Sequence, residues 1–327
     1  MQYSLIFLTG FLLGLFFINL LKKFSLRHNL LVAKGIPLIG GIGISLAFSL
    51  VSLSRLLSYG ALSKEIIGLV LSSSMMLIFG IIDDWHELSV RTKFLMQIIA
   101  TGLLIFFGIR THIVYIGNLF NIIITFIWIL GISNAFNHLD VIDGVASGVA
   151  IIVSFAFFII SILNKDISAA ILSLTLAAAV CSFFLHNFPP AKIYLGNAGS
   201  HFLGFVLAAV ALIISYAPLE RKIALLSPLL ILGFPIIDTT FLVLMRIMKK
   251  SLPFKKTNDH LALKYLALSH SKKKTLFVML ILCLFYCLCG IAVSQASNIG
   301  GIGIIALAFF VSLLVTAKMS KVMVNND

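Results

Sequence analysis

Seven acidic side chains stand in three short stretches of an otherwise apolar chain, and a fourth stretch joins them by its glycines. The first is FGIIDDWHELSVRTKFLMQ, residues 79–97, where Asp83 and Asp84 follow an apolar run and Lys93 opens the next. Neighbouring carboxylates repel, so a cation or a shared proton must hold them together. The second is NAFNHLDVIDGVASG, residues 134–148, in which Asn134, Asn137, Asp140 and Asp143 recur every third residue. If this stretch is helical, successive members share a face. Such an amide–carboxylate ladder suits Mg²⁺, a hard ion bound through one or two carboxylates plus phosphate oxygens. A polar helix end is the plain alternative for both stretches.

The third stretch is HNFPPAKIYLGNAGSHFLGF, residues 186–205, with Gly196, Gly199 and Ser200 leading into an apolar run. Glycines let a backbone approach a ligand, and free N–H groups at a helix start attract an anion. A turn between membrane helices would look similar. The fourth, residues 234–274, holds Asp238, Asp259, His260 and His270 among many lysines. Charges of this kind face anionic headgroups or a nucleotide, although topology alone accounts for most of the lysines. Taken together, the four stretches describe a shallow polar site beside lipid, suited to phosphoryl chemistry on a lipid head.

The elements that must position these residues are membrane helices. Hydrophobic residues make up 61% of 327 residues and charged ones 11%, and mean hydropathy is +1.14. Soluble domains carry about 45–50% apolar and about 25% charged residues. The apolar runs are continuous, which excludes alternating barrel strands. They predict an all-α, polytopic integral membrane protein of about eleven spans: 3–21, 37–54, 65–82, 94–110, 119–136, 145–163, 167–187, 200–216, 222–246, 275–293 and 298–318. The first run lacks a small-residue cleavage site and reads as an anchor. An outside N-terminus puts three quarters of the 24 Lys and Arg residues in inside loops, as the positive-inside rule requires, and makes the C-terminus cytoplasmic. Glu65, Asp166 and Glu220 then fall outside, Asp327 in the tail, and the seven other acids inside. The net charge of +13 is thereby a matter of topology, not of nucleic-acid binding. Cys181, Cys283, Cys287 and Cys289 lie in apolar runs, without zinc spacing or a disulfide framework. A single transmembrane domain over 1–327 is expected, with site loops at roughly 83–93, 137–144, 186–200 and 246–274.

In order and wording, these blocks resemble the polyprenyl-phosphate N-acetylhexosamine-1-phosphate transferases, the superfamily of WecA, TagO and MraY (glycosyltransferase family 4), and most of all its WecA/TagO branch. A Pro-x-x-Gly-Gly motif stands at Pro37, Gly40 and Gly41. GIIDDWHELSVRTKFLMQ matches the Asp-Asp block, and NAFNHLDVIDGVASG the Asn-x-x-Asp-Gly-x-Asp-Gly signature. NFPPAKIYLGNAGSHFLGF matches Asn-Phe-x-Pro-Ala…Gly-Asp-x-Gly-Ser, and PIIDTTFLVLMR with a PF…H loop the last segment. The resemblance implies attack of a polyprenyl phosphate, usually undecaprenyl phosphate, on a UDP-N-acetylhexosamine. The products are the lipid diphosphate sugar, which starts a cell-envelope glycan such as lipopolysaccharide, O-antigen or teichoic acid, and UMP. Mg²⁺, or Mn²⁺ in its place, assists in a bacterial inner membrane. Asp83, Asp84, Asp140 and Asp143 take catalytic positions by this correspondence. Lys93, Asn137, Lys192, Gly196, Gly199, Ser200, Arg246 and His260 take substrate positions, and Asn187, Asn197 and Asp143 metal positions. The bilayer is a partner, nucleic acid is not, and a homodimer is compatible with the family.

Four positions depart from the pattern. Val141 replaces a glycine, Asn197 the Asp of Gly-Asp-x-Gly-Ser, and Ala262 and Leu263 two histidines. Basic residues before Pro37 are also sparse, Lys34 alone being close. A neutral ligand at 197 binds magnesium more weakly than a carboxylate would. Two readings follow: a transferase with an altered sugar preference or metal site, and a catalytically impaired paralogue that binds lipid phosphate or a partner. A transporter is a more distant third, because it would place charges near the midplane of several spans.

Overall fold

A computed structural model describes residues 2–114, 116–216, 221–250 and 257–324. Among the described residues the regular structure is helical except for one hairpin, β1 (Val32–Ala33) and β2 (Ile36–Pro37). Eight helices precede the first break in this pattern: α1 (Gln2–His28), α2 (Gly40–Ser58), α3 (Lys64–Trp85), α4 (Val90–Phe106), α5 (Gly117–Leu139), α6 (Val145–Leu163), α7 (Ile167–Asn187) and α8 (Gly196–Ile213). A 3₁₀ turn, Lys222–Leu226, leads into α9 (Ser227–Ile231) and α10 (Gly233–Met248). The chain ends with α11 (Leu261–Ser269), α12 (Lys272–Gln295) and α13 (Asn298–Ser320). Glu220, Lys255, Lys256, Asp327 and the Pro253–Phe254 part of the last motif lie outside the described residues.

The protein is a multi-pass membrane protein. Among the described residues nine helices are long and apolar enough to cross a bilayer, and ten if the bent pair 222–231 and 233–248 is one span. The expected eleven is therefore not reached, for two physical reasons. Helix α4 has only 17 residues, the short limit for a crossing. Its first turn carries Arg91 and Lys93, and it stops before Gly108, whose φ of +102° turns the chain. The 222–246 run bends by 66° at Leu232, with Pro228 and Pro235 on either side, as the missing proline N–H groups and ring clashes would produce.

Helix α1 shows how the bundle sorts lipid from protein. Leu5, Leu8, Leu12, Phe16, Leu20 and Phe24 are exposed along one stripe, while Ile6, Gly10, Gly14 and Ile18 are buried on the other. Gly10 and Gly14 lie against Ala178 and Ser182 of α7, where small residues let helices approach in the absence of a hydrophobic driving force.

Helix α8 is the centre of the molecule, buried along almost all of its length. Gly41 of α2 meets the Gly199 backbone and Gly80 of α3 the Ala198 backbone. Ser133 of α5 lies against Gly204. An added Cβ at Gly41 or Gly80 would overlap main-chain atoms of α8, so three helices touch it backbone to backbone. These contacts fix the start of α8 beside the ends of α3 and α5, where the polar residues gather.

Candidate active site

The site is built on the two consecutive aspartates that end α3, and they face different ways. Asp83 pairs with Lys93 at 2.7 Å and accepts the Leu88 N–H at 2.9 Å. That bond closes the turn between α3 and α4. Ser89 caps α4 by accepting the Thr92 N–H, which brings Lys93 back over Asp83. Asp84 reaches across 113 residues of sequence to the start of α8, where its two oxygens accept the N–H groups of Asn197 (2.8 Å) and Ala198 (3.0 Å). A carboxylate at a helix N-terminus satisfies orphan donors and the helix dipole together. Gly196 has φ +76°, and a Cβ there would press on the Asp84 carboxylate. Only glycine fits the cap.

This changes the expectation for the Gly-rich stretch. Its first N–H groups are not free for an external anion, because Asp84 already takes them. Gly199 is a packing residue, set against Gly41. Ser200 and Asn197 instead form an amide–hydroxyl cluster with α5. Asn137 donates to the Asn197 side-chain oxygen at 2.9 Å and to the Ser200 hydroxyl at 3.0 Å.

The three-residue ladder does not lie on one helix face. Helix α5 ends at Leu139, so Asp140 and Asp143 belong to the turn that Gly144, with φ +83°, closes into α6. Each rung finds a different partner. Asn134 exchanges two amide hydrogen bonds with Gln97 of α4, at 2.8 and 3.2 Å. Asn137 reaches α8 as described, and Asp143 pairs with Lys272 at the start of α12, at 3.2 Å. Asp140 keeps part of its surface in solvent. Burial of its carboxyl, together with the charges of Asp84 and Asp143, pushes its pKa up to about 7.

Asn187 holds this turn in place. Its oxygen accepts the Gly144 N–H (3.0 Å) and the Ser147 hydroxyl (2.8 Å), and its amide donates to the Ile193 carbonyl (3.1 Å). Both lone pairs of that oxygen are in use, and the residue is buried. In this arrangement Asn187 fastens the turn to the start of α6 and to the segment after α7. Lys192 is exposed, and its backbone N–H bonds the His186 carbonyl at 2.7 Å.

A second capped helix closes the other side. Asp238, in α10, accepts the Leu261 N–H at 2.8 Å at the start of α11 and pairs with the His260 Nδ1 at 3.2 Å. The His260 ring lies edge-on to His138 of α5, with centroids 6.1 Å apart. Arg246 donates to the Thr257 hydroxyl at 3.1 Å. Burial raises the pKa of Asp259, but Lys249 at 2.7 Å and Lys264 at 3.5 Å outweigh it and hold the carboxyl below the usual range. Lys264 in turn donates to the Val322 carbonyl at 2.7 Å, tying α11 to the chain end. Ala262 is buried in the core and Leu263 packs against it, so neither departure leaves a polar side chain in the first turn of α11.

In the sequence Asp238 falls in the fourth polar stretch and Lys272 in the 246–274 loop, and neither stands out there as an individual site residue. A carboxylate inside an apolar helix was the available signal for Asp238. Nothing in the lysine run singled out Lys272, whose partner lies 129 positions away.

A magnesium ion at this carboxylate set would need phosphate oxygens to complete its shell. Among the described residues no three acidic, histidine or cysteine side chains converge tightly enough to hold an ion by themselves. Asp140 nevertheless sits in the field of two further carboxylates. A divalent ion shared between Asp140, Asp143 and phosphate oxygens would relieve that repulsion.

This constellation was compared with known proteins. The model of the family described as Glycosyl transferase family 4 matches residues 66–215, which span α3 to the end of α8 and every contact of Asp83, Asp84, Asn137 and Asn187 given above. Over that region the chain is similar to glycosyl transferase family 4. A probable undecaprenyl-phosphate N-acetylglucosaminyl 1-phosphate transferase of Bacillus subtilis is 28% identical over 280 residues, covering 81% of this chain and 75% of that one. A decaprenyl-phosphate N-acetylglucosaminephosphotransferase of Mycolicibacterium smegmatis is 28% identical, covering 74% and 68%. A phospho-N-acetylmuramoyl-pentapeptide-transferase of Lactococcus lactis is 31% identical over 199 residues, covering 55% and 60%. The chain thus shares most of its length with two relatives whose names give them polyprenyl phosphates as substrates.

Proposed function

We propose that the protein transfers an N-acetylhexosamine-1-phosphate from a UDP-sugar to a polyprenyl phosphate, releasing UMP and starting a cell-envelope glycan. One observation carries the reading: the Asp83–Lys93 and Asp143–Lys272 ion pairs and the Asp84 cap on α8 gather at the polar end of an apolar bundle. A lipid phosphate reaches such a site at headgroup depth, and a nucleotide reaches it from water. We place that end on the cytoplasmic face of the inner membrane.

In this reaction an oxygen of the lipid phosphate bonds to the β-phosphorus, and the bond from that phosphorus to the oxygen of the leaving UMP breaks. The attacking phosphate is largely doubly ionised near neutral pH, with a second pKa of about 6, and needs little help from a base. The protein's work is alignment and charge neutralisation. Lys93, held by Asp83, offers an ammonium to the lipid phosphate. The Asp84 cap fixes Asn197, Ser200 and Asn137 opposite it. Asp238 orients His260 toward the donor side. Magnesium held by Asp140 and Asp143 would neutralise the diphosphate as negative charge moves onto UMP.

The test is UMP release by purified protein given undecaprenyl phosphate, Mg²⁺ and a panel of UDP-N-acetylhexosamines. Release well above that of an Asp83→Ala/Asp84→Ala variant is expected with at least one sugar. No release above that control, with any sugar, overturns the reading. A second reading, an impaired paralogue that binds lipid phosphate, draws on Asn197, which is neutral and whose side-chain oxygen is engaged by Asn137. It predicts saturable lipid-phosphate binding without UMP release.

A further inference from the structure

Lys272 is the first residue of α12, and its ammonium lies 3.2 Å from an Asp143 oxygen. The two side chains differ in exposure, 57% for Lys272 against 15% for Asp143. The main-chain N–H of Ala191 approaches the same oxygen at 3.4 Å, a weak bond. Among the described residues Lys272 is thus the cation of Asp143. An ion pair with one end in water contributes little to stability, so it opens readily.

The first turn of α12 is firmly seated even though this side chain is not. Ser271 caps it by accepting the Lys274 N–H, Leu276 packs against Gly144, and Lys273 lies over the Phe188 ring at 5.8 Å. Lys272 also borders a cavity of ≈ 570 Å³ lined by Asn258, Leu263, Leu266 and His270. Its ammonium has an anchored base, open space on one side and a carboxylate on the other.

We propose that Lys272 is an exchangeable counter-ion: it neutralises Asp143 in the empty site and moves to the donor's diphosphate when a nucleotide enters with its metal. The inference rests on the transferase reading above. Every charge keeps a partner in the exchange, since the divalent ion takes the ammonium's place at Asp143 while the ammonium meets the phosphate. It follows that Lys272 opposes binding of the metal alone and favours binding of the nucleotide. A residue that merely stabilised the fold would move both affinities the same way.

Calorimetric titration of the full chain in detergent micelles separates these cases, using Mg²⁺ alone and UDP in excess Mg²⁺. For Lys272→Ala, UDP binding is expected to weaken about tenfold, the loss of one charge-assisted phosphate contact. Mg²⁺ alone is expected to bind a few-fold tighter than in wild type, and Lys272→Arg to restore both values. Lys272→Ala with unchanged UDP affinity overturns the proposal, as does Mg²⁺ binding that weakens or stays undetectable in that variant. Wild-type protein that binds no UDP overturns the transferase reading, whereas wild type and Lys272→Ala binding UDP equally overturn only the exchange.

Discussion

Asp140 and Asn197 show how single side chains set the charge of this site. Burial and the charges of Asp84 and Asp143 push the Asp140 carboxyl up to about 7, against 3.8 for an unperturbed one. The folded state therefore holds the proton more tightly than the unfolded chain does. The stability contribution is complete below about pH 4 and is lost as pH rises through about 7. Without divalent ions, the melting temperature of wild type should fall across that window more steeply than that of Asp140→Asn, as thermal scans in detergent would show. Equal slopes would remove Asp140 from the carboxylate cluster. Asn197 has the opposite character, a neutral amide bonded to Asn137 whose own N–H supports Asp84. Asn197→Asp adds a charge beside Asp84. That variant should melt lower than wild type without metal and gain more from added Mg²⁺, since an ion binding only the folded state stabilises it. A Mg²⁺ response equal to that of wild type would mean that residue 197 does not face the ion. The residue types at both positions were legible in the sequence. Their partners were not, because Asp84 and Asn197 are 113 positions apart and no local pattern specifies such a pairing.

At the scale of elements, α8 owes its position to glycines on its neighbours. A Cβ on Gly80 would overlap the Ala198 backbone, whereas Gly303 of α13 has open space around its Cα. Gly80→Ala should therefore destabilise the protein by about 1–3 kcal/mol, the usual cost of overpacking, and lower the yield of folded protein. Gly303→Ala, a helix-favouring change at an open position, should be neutral or stabilise by up to about 1 kcal/mol. Thermal unfolding of the pair side by side checks this, and equal melting points would show that the α3–α8 contact is not tight. The apolar runs revealed these helices because lipid demands continuous helical hydrogen bonding. Their ends were less legible. Helix α5 stops at Leu139 because the chain must turn through Asp140–Gly144 into α6, and a three-residue spacing cannot tell a helix from that turn. Gly108 ends α4 for a reason equally invisible in an apolar run, which gives no sign of where the chain reverses.

Across the whole molecule, one arrangement recurs: a carboxylate from a long helix caps the start of another helix that carries site residues. Asp84 does this for α8 and Asp238 for α11. The gathering of acids into loop-end stretches was visible in the sequence. That two of them serve as caps was not, because capping depends on which helix end arrives opposite. The inner wall of the site differs from its outer rim in one more respect. Gly41, Gly80 and Gly199 leave no room for even a methyl group at the backbone crossings, while Val141, Lys192 and Lys272 at the rim are exposed. Inheritance of new substrate preferences on this scaffold is thereby channelled. Variants at the crossings disturb the packing around α8, while those at the rim change what the site can bind, so a lineage built on this bundle would diversify its ligands from the water side inward.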